Sequence, residues 1–231
     1  MFYEPLKQSH GLEHDPFKSC VVPRPIGWIS TLSPSGVHNL APYSQFQNLT
    51  FDPPYVMFAA NQNTNGHRKD TVVNIEETGE FVHNMATYDL RYAVNITAQE
   101  VSPDVDEFEL AGVNKASSRL VKPARVAESP VQLECSYYQS IRLPCRGQRS
   151  SVDIIIGRVI GIHIKDEFIA ENGKLDITKI RPLARLGYYD YTTVESVFEM
   201  IIPGTNRDLK GGMEGWTSDG NSGPFDFAID E

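Results

Sequence analysis

Residues 61–71, Asn61-Gln62-Asn63-Thr64-Asn65-Gly66-His67-Arg68-Lys69-Asp70-Thr71, hold the most suggestive chemistry of the chain. The stretch lacks large apolar side chains and runs into Val72-Val73-Asn74-Ile75-Glu76-Glu77-Thr78, which reads as a short helix. Asp70 is expected as its N-cap and Gly79 as its C-terminal cap. A helix start carries unpaired backbone N–H groups and the positive end of the helix dipole. Arg68 and Lys69 add two cations there, which makes the segment suited to a phosphate. The same residues also suit a solvated loop before a capped helix, so the segment alone leaves both readings open.

Other chemical motifs are missing. The sequence has no Walker loop, no GxGxxG, no GxSxG elbow and no metal-spaced Cys/His set. His10-Gly11-Leu12-Glu13-His14 is not the HExxH order of a zinc protease. The six histidines are scattered, and His83, on an expected strand, reads as a packed histidine rather than a catalyst. No catalytic residue and no metal ligand is therefore assigned.

The elements that must position the loop are mostly strands. Residues 1–18 read as a loosely packed lead-in. Residues 19–32 become strand-like, with Pro23 and Pro25 confining the first part to an edge or irregular entry. After the turn Ser33-Pro34-Ser35-Gly36, residues 37–48 read as one second strand forming a hairpin with the first. Ser44, Phe46 and Asn48 share one of its faces. The apolar run Tyr55-Val56-Met57-Phe58-Ala59-Ala60 fits a buried strand that ends at the polar loop. Residues 80–85 form another strand. Thr87 is expected to cap a second helix with Leu90, Ala93, Val94 and Thr97 on one side. The acidic stretch 103–109 and the small residues to 118 read as a solvated surface excursion. In the second half, residues 131–138 alternate and 152–164 are rich in Ile and Val. Asn172-Gly173 signals a tight hairpin turn. Residues 181–191 bring two arginines and three tyrosines close together, and residues 204–231 are dominated by Gly, Ser, Asn and Asp. This pattern implies a mainly β protein, a β-barrel with appended helices.

Composition narrows the class. A chain of 231 residues with 40% hydrophobic and 10% aromatic content can bury a real core. A net charge of −9 argues against a nucleic-acid or anionic-membrane surface, while leaving room for a local basic pocket. No apolar run approaches the roughly 20 residues of a membrane helix, and the start lacks the features of a signal peptide. Cys20, Cys135 and Cys145 are odd in number and show no CxxC pairing, which fits thiols in a reducing cytoplasm.

Several stretches together carry a resemblance. Val22-Pro23-Arg24-Pro25-Ile26-Gly27-Trp28-Ile29-Ser30-Thr31, then Asn39-Leu40-Ala41-Pro42-Tyr43-Ser44-Gln45-Phe46, resemble the flavin reductase-like family. So do Lys69-Asp70-Thr71-Val72-Val73-Asn74-Ile75 and Thr78-Gly79-Glu80-Phe81-Val82-His83-Asn84. The most similar subgroup contains flavoredoxin and the reductase component of nitrilotriacetate monooxygenase, and Arg185-Leu186-Gly187-Tyr188-Tyr189-Asp190-Tyr191 is similar to its second-half signature. The resemblance covers about residues 18–202. It implies a lead-in over 1–18, an FMN-binding split β-barrel over 19–203 and a tail over 204–231.

By resemblance, the FMN phosphate is expected around His67, Arg68, Lys69, Asp70 and Thr71. Ser30, Thr31, Ser44 and Asn48 are expected at the isoalloxazine edge, and Tyr43 and Phe46 beside the ring. Asn61 and Gln62 are expected at the ribityl chain or pyrimidine edge. His83 stands where the family usually has an apolar residue. The implied activity is an NAD(P)H-dependent flavin reductase passing electrons to free flavin, an oxygenase component or another acceptor, with the protein a homodimer. The alternatives are an FMN-binding electron carrier without its own pyridine nucleotide site, and a split-barrel binding protein that has lost flavin or holds another ligand.

Overall fold

Prolines and turn residues cut the N-terminal half into short strands, whereas long β-branched runs give the C-terminal half two long ones. In the computed structural model the elements are β1 (Arg24–Pro25), β2 (Gly27–Leu32), β3 (His38–Tyr43), β4 (Phe46–Phe51), β5 (Pro54–Asn61), α1 (Asp70–Thr78), β6 (Glu80–Met85), α2 (Arg91–Ile96) and α3 (Glu107–Ala111). They continue with β7 (Lys115–Ala116), β8 (Arg125–Val126), β9 (Val131–Pro144), β10 (Ser151–Ile164), α4 (Ile177–Ile180), β11 (Leu183–Gly187) and β12 (Asp190–Thr193). The structure describes residues 1–5, 7–63, 65–145 and 151–200. Thr64 and the Gly- and Asp-rich segment 204–231 lie outside the described residues. Residues 1–197 form one body.

Seven strands form one antiparallel sheet in the order β3-β2-β6-β9-β10-β5-β4. Its two edge strands, β3 and β4, are consecutive in sequence and separated only by the bend at residues 44–45. The Ala59 N–H donates to the Gln45 carbonyl at 2.8 Å and fastens that bend to β5. The sheet thus curls into a barrel that stays split between β3 and β4. The expected single strand over 37–48 is two strands, and the reason lies in packing. Tyr43 and Phe46 both pack against the interior, which one uninterrupted strand with a two-residue period cannot achieve.

The barrel interior is built from Ile29, Val56, Phe58, Phe81, Cys135 and Ile155, with Val72 and Ile75 of α1 laid into the same cluster. Burial of such side chains contributes about 1.5–3 kcal/mol each before conformational entropy is counted. The Phe81 ring occupies the place of a side chain on Gly157, where a Cβ would come within 2.3 Å of it. A second cluster joins Trp28 and Leu40 to Val94 of α2, Phe108 of α3 and Leu183 of β11. The Trp28 indole N–H donates to the Thr97 hydroxyl at 2.9 Å, fixing the end of α2.

Several expectations change at the element ends. Lys69, not Asp70, is the N-cap of α1, while Gly79 takes the left-handed cap with φ +76°. Thr87 does not cap α2, because it bridges Pro182, and α2 begins at Arg91. β9 runs on to Pro144, since β10 offers it a ladder far beyond residue 138. Around Asn172-Gly173 the turn forms, but only the single bridge Ile169–Leu175 accompanies it. The excursion over 103–118 is not simply solvated, as Glu107 and Phe108 are buried. The lead-in is tied down at its end, where the Tyr188 hydroxyl donates to the Asp15 carbonyl at 3.0 Å. All three cysteines are free. Among the described residues no helix is long and apolar enough to cross a membrane.

Candidate functional site

The split in the barrel opens beside the start of α1. A narrow cleft of about 70 Å³ lies there, walled by Ala41, Pro42 and Tyr43 of β3, Lys69, Asp70 and Thr71 at the helix start, and the segment 97–101 behind α2. Its size admits a group such as a phosphate and not a ring system, so a larger ligand would extend out over the β3–β4 bend.

A chain of buried hydrogen bonds holds the cleft in place. The Thr71 hydroxyl donates to Asn39 Oδ1 at 2.6 Å, and the Thr31 hydroxyl donates to the same oxygen at 3.3 Å. Asn74 Nδ2 donates to Thr31 Oγ1 at 3.0 Å. On its other side, Asn39 Nδ2 donates to Glu107 Oε1 at 2.8 Å, and the Leu40 N–H donates to Glu107 Oε2 at 3.0 Å. Burial pushes the Glu107 carboxyl above its ordinary range, and these two donors act against that shift. Asp70 is likewise raised by burial, with Lys69 opposing. Lys69 Nζ sits 3.0 Å from Glu100 Oε1 across the mouth.

The Tyr43 hydroxyl is the unfinished part of this arrangement. It is buried beside the Thr71 side chain without a hydrogen bond of full geometry, and burial raises its pKa well above the ordinary value while Thr71 opposes the shift. A buried hydroxyl without a partner costs about 1–3 kcal/mol, a penalty that an acceptor group in the cleft would relieve. The Asp70 and Thr71 N–H groups at the start of α1 lack helical acceptors in the same place, whereas the Val72 N–H already donates to the Lys69 carbonyl at 2.9 Å. A phosphate ester therefore fits the residues present: one cation, a helix N-terminus and a hydroxyl donor converge, although Asp70, Glu100 and Glu107 keep the surroundings acidic.

The expected site residues divide by location. Tyr43, Lys69, Asp70 and Thr71 are brought together in the cleft wall. Ser44 follows at the bend, half-buried, and Asn48 lies exposed on β4, accepting from Gln47 Nε2 at 2.9 Å. Phe46 is stacked on His83 with centroids 4.3 Å apart and planes inclined by 22°. Ser30 and Thr31 do not line the cleft. Both are fully buried, with the Ser30 hydroxyl donated to the Ala124 carbonyl at 2.6 Å.

Arg68 turns toward the sheet. It forms a two-pronged pair with Glu76 at 2.7 and 2.8 Å and donates Nε to Asp153 at 3.1 Å. The Glu76 hydrogen bonds hold its pKa above the ordinary value, and Arg68 in turn lowers that of Glu76. Asp153 accepts Arg142 Nε at 2.8 Å on its other oxygen. With Gln62 Nε2 donating to Ser151 Oγ at 2.7 Å, this clamps the loop to β10. Asn61 is exposed at the end of β5, and His67 is exposed with its N–H bonded to Asn65 Oδ1. Sequence reasoning missed Asn39, Glu107 and the 97–101 wall. Asn39 falls within a family motif, but its partner Glu107 is 68 residues away and no local pattern links them.

The profile of the flavin reductase like domain matches residues 19–191. The chain belongs to the flavin reductase-like family. An uncharacterised protein of Aquifex aeolicus is 37% identical over 171 residues, covering 73% of this chain and 84% of its own. Component B of nitrilotriacetate monooxygenase from Bacillus cereus superposes with a TM-score of 0.79 at 28% identity, over 87% of this chain and 98% of that one. Flavoredoxin of Desulfovibrio vulgaris shares the fold, with a TM-score of 0.68 at 16% identity, over 86% of this chain and 98% of its own. A protein with a split barrel domain from Shewanella frigidimarina superposes with a TM-score of 0.70 at 19% identity, over 80% of this chain and 89% of that one, and the barrel described above is of that kind.

Within this family fold His83 is a titratable ring in the interior. Its Nδ1 is buried without a partner, and burial depresses its pKa from 6.5 to about 3. The native state therefore binds fewer protons than the unfolded chain between these values. His83 contributes stability that is present above pH 6.5 and is lost as pH falls toward 3. From pH 6.5 to 5 the wild type should lose about 2 kcal/mol more unfolding free energy than His83→Phe, measured by urea titration of both proteins. Parallel pH profiles for the two would refute a neutral buried ring.

Proposed function

We propose that the protein binds FMN and is an oxidoreductase that accepts hydride from NADH or NADPH and passes electrons to free flavin, an oxygenase component or another acceptor. The observation that carries this reading is the phosphate-sized cleft at the start of α1, where Lys69, Thr71 and the buried Tyr43 hydroxyl come together. Family membership supports flavin in that place, and the match to a monooxygenase component supports an oxygenase as one acceptor.

Bound FMN supplies the redox chemistry by accepting hydride at its ring. The chain's own residues bind and orient. Lys69, the first-turn N–H groups and Tyr43 take the phosphate, while Thr71 and Asn39 hold the helix start against β3. Arg68 serves by clamping the loop rather than by touching the phosphate, since its donors are given to Glu76 and Asp153. Ser44, Phe46 and Asn48 meet the ring over the bend, and Asn61 and Gln62 flank the ribityl chain. Ser30 and Thr31 support the ring edge from inside the barrel. Hydride transfer needs apposition of two rings and not a protein proton donor. Free thiols, among them the exposed Cys20 and Cys145, agree with a reducing cytoplasm.

The outer face of the barrel supports a homodimer. Met57, Ile141, Leu143, Val152 and Ile154 share that face by register, and Ile141 and Leu143 stand 42% and 47% exposed. A second copy would cover them. Light scattering should give twice the chain mass, and a monomer at micromolar concentration would remove the dimer.

The FMN reading is tested at Lys69. Lys69→Ala should weaken FMN by about tenfold or more while leaving riboflavin nearly unchanged, since only FMN has the phosphate. Equal losses for the two ligands would place the phosphate elsewhere. Mixing flavin-loaded protein anaerobically with NADH, then with NADPH, should bleach the visible flavin band with at least one of them. If neither reduces the flavin, the electron-carrier reading, which the fold shared with flavoredoxin favours, replaces the reductase.

A further inference from the structure

A larger cavity than the α1 cleft lies elsewhere. A space of about 440 Å³ opens between α2 and the β11–β12 hairpin, and none of its lining residues belongs to the cleft at α1. Its volume falls in the range of small-molecule pockets, roughly 300–1,000 Å³. Val94 and Leu183 form an apolar floor, and Tyr88, Tyr92 and Tyr191 supply aromatic walls.

The electrostatics of this cavity are unbalanced in one direction. The Arg91 guanidinium lies 3.9 Å from the Tyr88 ring centroid and 4.4 Å from that of Tyr92. Its one hydrogen bond goes to the Tyr88 carbonyl at 2.7 Å, and among the described residues no carboxylate pairs with it. Among the described residues the only acid lining the cavity is Glu195, and Arg181 answers it at 3.4 Å while also facing Asp89 at 3.9 Å. Arg181 covers the other approach to Tyr88 at 4.2 Å, and Arg185 stacks on Tyr191 at 4.5 Å. Arg91 therefore keeps an uncompensated charge over aromatic surface in a chain of net charge −9. In addition, Thr193 Oγ1, on the same lining, is buried without a hydrogen-bond partner.

An apolar floor calls for hydrocarbon, tyrosine faces call for a flat π-system, and an unpaired guanidinium with an idle hydroxyl calls for an oxyanion. We propose that this cavity is a second ligand site, which binds a planar aromatic carboxylate. The ring packs against the tyrosines above Val94 and Leu183, and the carboxylate takes hydrogen bonds from Arg91 and Thr193. The site stands independently of whether the α1 cleft holds FMN.

The test uses 2-naphthoate and its neutral counterpart 2-naphthylmethanol, titrated calorimetrically into the full-length protein. Wild type should bind 2-naphthoate at least about tenfold more tightly than the alcohol. Arg91→Gln should abolish that preference while leaving the alcohol's affinity within about twofold, and Arg91→Lys should restore part of it. Thr193→Val should weaken the carboxylate by a smaller factor. Equal affinity for acid and alcohol in the wild type overturns the proposal without any variant. So does failure of 2-naphthoate to bind at millimolar concentration, or an Arg91→Gln protein that keeps the full preference.

Discussion

The side chain of Asn39 is the joint on which the cleft depends. Its amide oxygen accepts from Thr71 and Thr31, and its amide nitrogen donates to Glu107. One residue on β3 thereby fixes the start of α1, the neighbouring strand and the excursion that carries α3. Each of these bonds contributes about 0.5–1.5 kcal/mol net, but in a buried web the loss of one strands several partners. The helix start stays where its N–H groups converge with Tyr43 because this web leaves it no other position.

The split of the barrel follows from the same region. Tyr43 and Phe46 are both drawn inward, so the chain must bend between them and the edges of β3 and β4 do not pair. The bend leaves Ser44 and Gln45 outside and puts an opening beside α1. Charge is then divided between two tasks. Arg68, Glu76, Asp153 and Arg142 hold the loop to β10, while Lys69 remains at the cleft mouth. An acidic protein thus keeps a local cation where the helix dipole also favours an anion.

Much of the architecture was legible from residue types alone. The alternation in residues 131–138 and the Ile/Val run over 152–164 mark strands, because period two is imposed by the pleat itself. Gly79 marks the end of α1, since a left-handed cap is sterically cheap only for glycine. The extra length of β9 was not visible, because Ser140, Arg142 and Pro144 carry no strand signal and are held by the ladder to β10. The site shows the same division. Lys69-Asp70-Thr71 announced a helix start with a cation, yet Arg68 next to them looked equivalent. Its commitment to Glu76 and Asp153 depends on β10 arriving 85 residues later.

By itself the sequence determined the strand periodicities, the turn and cap residues, the acidic balance and the motifs that mark the family, because each is local chemistry or an ordered string of residues. Only the tertiary structure decided which cations are drawn into the sheet, that Ser30 and Thr31 are sealed inside, that the Tyr43 hydroxyl is buried beside Thr71, and that Tyr88, Arg91 and Tyr191 frame one cavity. Burial, pairing and enclosure arise from elements far apart in the chain, and no short stretch of sequence carries the distance between them.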